Sequence, residues 1–355
     1  MEIRDPGIDR GRLGVSAGPI LIWGAGAIGG TVGAYLVRAG HAVRFVDVVA
    51  EHVAHIRDPG LAIEGPIDRF AVTAPAFLAD DLDGAYRRVF LCVKAQHTAA
   101  AVARLAPFLA DDGYVVSLQN GLNEEVIAAR VGRDRTIGAF VNFGADYLAP
   151  GRVLYGGRGA VVVGELDGRM SARLDALRAV LRDFEPRAIA TDDIRGYLWG
   201  KIGYGALLYA TALTDAAIAD VFASRPHRPI LAALAREATM VARAKGIAPK
   251  GFNGYEPAAF LPGAAPAEAA RAFDAMAAHN RKSAKSHSGI WRDLAVRKRR
   301  TEVDAQLGAA VAAGAALGQA MPLTRRLIAL IHDIEEGRRP LAWSTLDALG
   351  ACHAD

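Results

Sequence analysis

The stretch that decides the fold reads Ile20-Leu21-Ile22-Trp23-Gly24-Ala25-Gly26-Ala27-Ile28-Gly29. Four consecutive apolar residues predict a buried strand, and the pattern from Ile28 to Ala39 predicts a helix. The glycines between them have the spacing Gly-X-Gly-X-X-Gly, which allows a tight turn, lets a pyrophosphate approach the backbone and lets the helix pack on the strand. The helix N-terminus adds free N–H groups. The residues predicted to line this dinucleotide site are Gly24, Ala25, Gly26, Ala27, Ile28 and Gly29.

Further short apolar runs alternate with helical patterns along the first half of the chain. Strands are predicted at Ala42–Asp47, Arg88–Val93 and Tyr114–Leu118, with a helix over Thr98–Leu109 before the last of them. Strands separated by helices predict βαβ units and a parallel sheet. We therefore expect an α/β N-terminal Rossmann domain with a parallel, doubly wound sheet.

The second half of the chain has a different pattern. A short β-like section at Val153–Gly164 is followed, from Ile194 onward, by apolar residues three and four apart, which predict helices. The expected organisation is therefore a loosely ordered tail over residues 1–18, the Rossmann domain over 19–188, and an all-α C-terminal domain for substrate and dimer contacts over 189–345.

Composition excludes several classes of protein. The 355-residue chain is 52% hydrophobic and 23% charged, and its net charge of +4 does not demand nucleic acid as a partner. Two cysteines rule out a disulfide framework and fit a cytoplasmic protein. The basic run Val296–Arg300 is flanked by acids and predicts a solvated helix face or dimer edge, so we expect no nucleic-acid partner. No metal-binding spacing is visible, and the most apolar stretch, Ala305–Met321, predicts a buried helix instead of a membrane span.

The choice of dinucleotide is predicted from Asp47, at the end of the second predicted strand. A carboxylate at this distance from the glycine turn accepts hydrogen bonds from the ribose hydroxyls and repels a 2′-phosphate. Strand alternation directs Arg44 elsewhere. The expected cofactor is NAD(P)H, with NADH favoured over NADPH.

Five segments, spread from about Ile20 to Glu336, carry a resemblance to a known family. Besides the glycine turn they are Cys92–Gln96, Leu118–Leu122, Trp199–Lys201 and Arg300–Asp304. Together they resemble the ketopantoate reductase (2-dehydropantoate 2-reductase) family. The resemblance implies an active site in a cleft between the Rossmann and helical domains, where hydride passes from a reduced nicotinamide to the keto carbon of a 2-oxo acid.

The resemblance also implies roles for individual residues. Lys201 would be the general acid, since an ammonium stabilises the charge that develops on the carbonyl oxygen and can donate a proton. Asn120 would lie where nicotinamide and substrate meet, and Lys94 would line the cleft for both. Glu302 would contact the substrate side; an ordinary acid on a charged helix face is the alternative for this residue.

The chain departs from the family pattern around the substrate. Gly205 and Tyr209 replace two asparagines on the face of Lys201, and Ser288-Gly289 replaces a pair of serines, so these positions are predicted to contact an altered substrate. One extra residue separates Asp293 from Glu302, and Asp47-Val48 replaces the usual basic residue after the second strand. Losing hydrogen-bond partners changes specificity, and the gap at Gly205 favours a 2-oxo acid larger than ketopantoate.

Two other functions remain open at this point. One is a dehydrogenase of another substrate class on the same fold, which forms an opine-like amine or oxidises a sugar acid. The other is a dinucleotide-binding sensor without turnover, against which a buried proton donor at Lys201 argues. The expected partner is a small-molecule 2-oxo acid, without a membrane and with a homodimer as the expected assembly.

Overall fold

The strands form two separate sheets. The structure, a computed structural model, describes residues 18–282 and 286–350, so the predicted tail lies almost wholly outside the described residues. The strands are β1 (Ile20–Trp23), β2 (Val43–Val46), β3 (Leu61–Glu64), β4 (Phe70–Val72), β5 (Ala76–Phe77), β6 (Tyr86–Leu91), β7 (Leu109–Ser117), β8 (Thr136–Val141), β9 (Gly144–Ala149), β10 (Arg152–Gly157), β11 (Val161–Glu165) and β12 (Ile189–Ala190).

Eight strands build the main sheet in the order β12-β11-β8-β7-β6-β1-β2-β5. All neighbours in it are parallel except β8 and β11. The chain proceeds from β1 to β2 in one direction and from β6 to β8 in the other, so the strand order reverses between β1 and β6. In doubly wound sheets ligands bind outside the carboxyl ends of the strands at such a reversal. The predicted Rossmann-like sheet is confirmed.

The second sheet, in the order β4-β3-β10-β9, was not predicted. It mixes antiparallel pairs with the parallel pair β10–β3. Helix α1 (Ala27–Arg38) lies between the sheets: Val32, Tyr35 and Leu36 share one buried core with residues of both. This second layer therefore supports the helix that begins at the glycine turn.

The other helices cover the main sheet or form the all-helical second half, as predicted. They are α2 (Ala50–Arg57), α3 (Thr98–Leu105), α4 (Glu124–Val131), α5 (Ala172–Arg182), α6 (Ile194–Thr211), α7 (Ile218–Ala223), α8 (Arg228–Ala244), α9 (Pro266–Arg281), α10 (Gly289–Ala295), α11 (Ala309–Ala315), α12 (Pro322–Glu335) and α13 (Trp343–Gly350).

The helical half has its own core, to which α6 through Leu207, α8 through Leu234 and α12 through Leu327 contribute fully buried residues. The apolar stretch expected as one helix over Ala305–Met321 is instead a π-helical turn followed by α11, which ends at Ala315. None of the described helices is both long and apolar enough to cross a membrane. The boundary between the domains stays a prediction; the last strand of the main sheet ends at Ala190 and α6 begins at Ile194.

Candidate active site

The glycine turn closes tightly between β1 and α1. Gly24 has φ +96°, a conformation that favours glycine, and a Cβ on it would lie 2.9 Å from the Val93 nitrogen. A Cβ on Gly29 would overlap the carbonyl oxygen of Gly24, whereas one on Gly26 would meet no atom within 4 Å. Gly26 is the N-cap residue of α1 and supplies no side-chain cap to it. The turn thus presents an open backbone cradle and a helix N-terminus, which fit a pyrophosphate.

Asp47 lies directly after β2 and beside this cradle. One of its carboxylate oxygens accepts the Ala25 N–H at 2.9 Å, and the other accepts the Val49 N–H at 3.0 Å. Arg44 points away to Asp83 and the Tyr86 hydroxyl, both at 2.9 Å. The edge on which a ribose would lie therefore has a fixed carboxylate and lacks the Arg44 cation.

Lys201, on α6, reaches across to the carboxyl edge of the main sheet. Its ammonium donates to Asn120 Oδ1 and to the Val141 carbonyl oxygen, both at 2.6 Å. Burial lowers the pKa of Lys201 to about 8, and the negative charges of Glu302 and Glu124 act in the opposite direction. An ammonium has three N–H donors, and the described residues provide acceptors for two, so the third remains for a ligand.

A network of buried amide and hydroxyl groups holds the turn that carries Asn120. Gln119 donates to the Val93 carbonyl at 2.9 Å and to the Thr98 hydroxyl at 2.8 Å. Thr98 in turn donates to Asn123, whose amide nitrogen donates to the Asn120 carbonyl at 2.8 Å. Satisfied networks of this kind fix one geometry. The backbone of Asn120 is thereby fixed while its side chain remains exposed.

Glu124 was missed by the sequence analysis, although it lies four residues beyond Asn120. It is 4% exposed, and one carboxylate oxygen has no hydrogen-bond partner among the described residues. Its side chain packs beside Gly138 of β8, where a Cβ would lie 3.5 Å from the Glu124 Cγ. Burial raises the pKa of Glu124 to about 7, against a hydrogen bond from its own backbone N–H. The sequence signal that could have indicated this residue is an acid in the first turn of α4.

Glu302 comes from the helical half and contacts the Rossmann-like half. Its carboxylate accepts the Ala95 N–H at 2.9 Å, just after β6. The Glu302 charge acts on Lys201, so the two predicted catalytic residues share one electrostatic environment. The structure therefore brings Lys201, Asn120 and Glu302 to the same cleft, while their roles stay predictions.

Lys94 lies at this cleft but is paired within the protein. Its ammonium is 3.4 Å from Asp293, which also accepts from Arg297 at 2.9 Å and Arg299 at 2.8 Å. Burial acts to raise the pKa of Asp293, but the hydrogen bond from Arg297 and the neighbouring positive charges hold it below its usual range. This contact occupies one of the three N–H donors of Lys94, and its side chain is 36% exposed, so it can contact a ligand while it stays beside Asp293.

The three predicted substrate positions that depart from the family pattern differ in their surroundings. A Cβ on Gly205, one turn beyond Lys201, would meet no atom within 4 Å, so the expected gap is present. Tyr209 is 1% exposed, and burial, with the charges of Glu302 and Asp293, raises its pKa well above the usual value. Ser288 accepts the Trp291 N–H at 3.1 Å and caps α10. Their contact with substrate remains untested; Tyr209 lies beneath the surface and Ser288 already has a structural partner.

Two family models match this chain. "Ketopantoate reductase PanE/ApbA" matches residues 20–168 and "Ketopantoate reductase PanE/ApbA C terminal" matches residues 193–335. A 2-dehydropantoate 2-reductase of Archaeoglobus fulgidus is 31% identical over 319 residues, which are 90% of this chain and 98% of that protein. One from Halobacterium salinarum is 29% identical over 64% of this chain and 76% of its own length.

Solved structures show the same architecture. A ketopantoate reductase of this family from Ralstonia eutropha has a TM-score of 0.75 and 27% identity, with 90% of this chain and 99% of that chain covered. D-mandelate dehydrogenase in a ternary complex with NADH and anilino(oxo)acetate has a TM-score of 0.78 at 23% identity, with the same coverage. The second likeness concerns the fold alone.

Proposed function

Because the chain belongs to the ketopantoate reductase family, whose named members are oxidoreductases acting on a CH–OH group, we propose that it reduces a 2-oxo acid to the 2-hydroxy acid with NADH. The observation that carries the proposal is the Lys201 ammonium at 2.6 Å from Asn120, with one donor left for a substrate oxygen. The cradle at Gly26 and the carboxylate of Asp47 would hold the dinucleotide.

The side chains of the protein bind the carbonyl oxygen of the substrate and protonate it. A bound reduced nicotinamide supplies the hydride for the keto carbon. As negative charge develops on the carbonyl oxygen, the third N–H of Lys201 stabilises it and then donates its proton. Glu302 and Glu124 act to keep Lys201 charged. Asn120 fixes the direction of the ammonium, so the donor is in place before the substrate arrives.

A preference for NADH follows from the loop after β2. Asp47 would accept from ribose hydroxyls, and a 2′-phosphate there would be repelled by this carboxylate. The next two residues, Val48 and Val49, are exposed and apolar. The test is kcat/KM with each dinucleotide for the wild type and for Asp47→Ser. We expect NADH to be preferred by about tenfold or more, and the preference to shrink in the variant. A wild type that is faster with NADPH would contradict the proposal.

The substrate that the geometry favours is a 2-oxo acid larger than ketopantoate. The open space at Gly205 lies one helical turn from Lys201, on the same face of α6. Steady-state rates on ketopantoate, 2-oxobutyrate and phenylglyoxylate test this, with Gly205→Asn as the variant that fills the space. We expect the variant to lose kcat/KM for phenylglyoxylate by about tenfold and to spare 2-oxobutyrate. A wild-type kcat/KM that is higher for ketopantoate than for the other oxo acids by orders of magnitude would overturn the substrate assignment.

A further inference from the structure

His52, on α2, is the residue that joins the second sheet to the glycine turn. It is 0% exposed, which is unusual for an imidazole, and it is buried on α2 together with Val53 and Ile56. Its ring packs edge-on against Tyr147 of β9, with 5.1 Å between the ring centroids. A buried imidazole of this kind needs partners for both ring nitrogens.

Both nitrogens have such partners, and the partners fix which one carries the proton. The Gly151 N–H, in the hairpin between β9 and β10, donates to His52 Nδ1 at 2.8 Å. A backbone N–H can only donate, so Nδ1 is unprotonated. The hydrogen therefore resides on Nε2, which lies 2.8 Å from the Ala25 carbonyl oxygen and donates to it.

Ala25 is consequently held from both sides in the middle of the glycine turn. Its N–H donates to Asp47 and its carbonyl oxygen accepts from His52. The peptide bond is planar and trans, so the carbonyl of Ala25 and the N–H of Gly26 point in opposite directions. A Cβ on Gly30 would lie 2.7 Å from the same carbonyl oxygen, so a fourth glycine leaves room for it.

We propose that His52 is a positioning residue for the dinucleotide: by holding the Ala25 carbonyl, it directs the Gly26 N–H towards the pyrophosphate. A Cβ on Gly26 would meet nothing within 4 Å, so there is open space beside this residue for a ligand. The proposal rests on the dinucleotide binding of the proposed function and is independent of the oxo acid. His52 itself touches neither the cofactor nor the substrate.

Two amide substitutions separate the two hydrogen bonds of His52. In His52→Asn the amide oxygen can replace Nδ1 and keep Gly151, but the side chain is too short to reach Ala25. In His52→Gln the amide nitrogen can replace Nε2 and donate to Ala25. The measurement is the Kd of NADH and of NADPH by fluorescence titration without oxo acid, since both dinucleotides carry the same pyrophosphate. The rise in unfolding temperature at saturating dinucleotide gives a second measure of binding in a weakened variant.

We expect His52→Asn to raise the Kd of the preferred dinucleotide about tenfold and His52→Gln to stay within about threefold of the wild type. At saturating cofactor kcat should change by less than about twofold, because the reacting groups are untouched. Unchanged affinity in His52→Asn, or equal losses in both variants, would overturn the proposal. Normal binding in the wild type without reduction of any oxo acid would instead count against the proposed function alone.

Discussion

Lys201 has contacts that suit a proton donor better than a structural cation. Its counter-charges, Glu302 and Glu124, act on it without an ion pair, and its hydrogen bonds go to the neutral oxygens of Asn120 and Val141. Neutral acceptors orient an ammonium group, and they do not neutralise its positive charge as a paired carboxylate would. Burial then brings its pKa to about 8, close to the pH at which the enzyme would work, where proton donation is most effective.

The first prediction concerns the pH dependence that follows from Lys201. In the proposed reaction the protonated form of Lys201 is the active one, so kcat should fall as pH rises through about 8. Lys201→Ala should lose about 100- to 10,000-fold in kcat and keep its affinity for NADH. In Lys201→Arg, which stays charged, kcat should not decline above pH 8. Full activity in the alanine variant would favour a different proton donor, and a wild type with no turnover would favour the sensor.

The second prediction concerns Glu124, whose charge at neutral pH should destabilise the folded protein and support the charge of Lys201. Its folded-state pKa of about 7 lies above the usual 4.5, so the folded protein binds the proton more tightly than the unfolded chain. The free energy of unfolding therefore decreases as pH rises from about 4.5 through 7, and the contribution of Glu124 to this decrease is complete above pH 7. Glu124→Gln should unfold like the wild type near pH 4.5 and be more stable at pH 8, by an amount on the order of 2 kcal/mol.

The same variant should alter catalysis in the opposite sense. Without the Glu124 charge the pKa of Lys201 falls further, so the decline of kcat should begin at a lower pH. Glu125→Gln is the matched control, because Glu125 is exposed and paired with Arg133 and Arg195. Urea unfolding and kcat profiles over pH 5 to 9 test both effects. Identical curves for the wild type and Glu124→Gln would show that this carboxyl has no electrostatic role.

The sequence analysis named three residues that the structure places in one cleft, and it missed two buried residues, His52 and Glu124. Lys201, Asn120 and Glu302 belong to motifs that can be read locally, and the structure places them together. His52 and Glu124 belong to no motif. Their importance comes from burial and from partners distant in sequence, such as Gly151. These partners are set by the packing of helices on the sheets, which a residue pattern does not encode.

At the level of elements, the β1–turn–α1 unit shows how a local pattern can determine a structure. The predicted strand and helix match Ile20–Trp23 and Ala27–Arg38 to within about one residue, because glycines and apolar residues act on their immediate neighbours. The second sheet was not predicted, because β3 and β4 lack the continuous burial of β1: both alternate with more exposed residues over only four and three positions. β3 pairs with β10, which is distant in sequence, and no local signal specifies that pairing.

The third prediction separates the two roles of glycine in this unit. A Cβ in Gly29→Ala would overlap the Gly24 carbonyl, so α1 must move away from β1. We expect a loss of about 2 kcal/mol or more in the free energy of unfolding. Gly26→Ala has open space, so its stability should change little while its Kd for NADH rises, because the methyl group enters the cradle. Thermal unfolding and NADH titration of both variants provide the test. Equal stability losses would remove the distinction.

Over the whole molecule, a cluster of ion pairs connects the second sheet with the helical half. Asp146 of β9 accepts from Arg292 of α10 and from Arg297, and Arg297 continues to Asp293. Asp293 also pairs with Lys94, which follows β6. The cluster therefore extends along the cleft, from the sheet that supports the glycine turn to the helices opposite. It is well placed to fix the width of the cleft.

The fourth prediction tests this cluster by removing its central charge. The Asp146 side chain is 15% exposed, so Asp146→Asn leaves the partly buried Arg292 without a carboxylate partner among the described residues, while Arg297 keeps only Asp293. Because both arginines remain partly solvated, the expected loss is about 1 to 2 kcal/mol of unfolding free energy, and KM for the oxo acid should rise more than the Kd of NADH.

The matched control is Asp83→Asn, because the Asp83 carboxylate is 82% exposed and pairs with Arg44. Unfolding in 0.05 and 1 M NaCl should show a smaller salt effect in Asp146→Asn than in the control, because its ion pairs are already lost. Equal behaviour of the two variants would mean that the cluster neither stabilises the molecule nor holds the two sides of the cleft together.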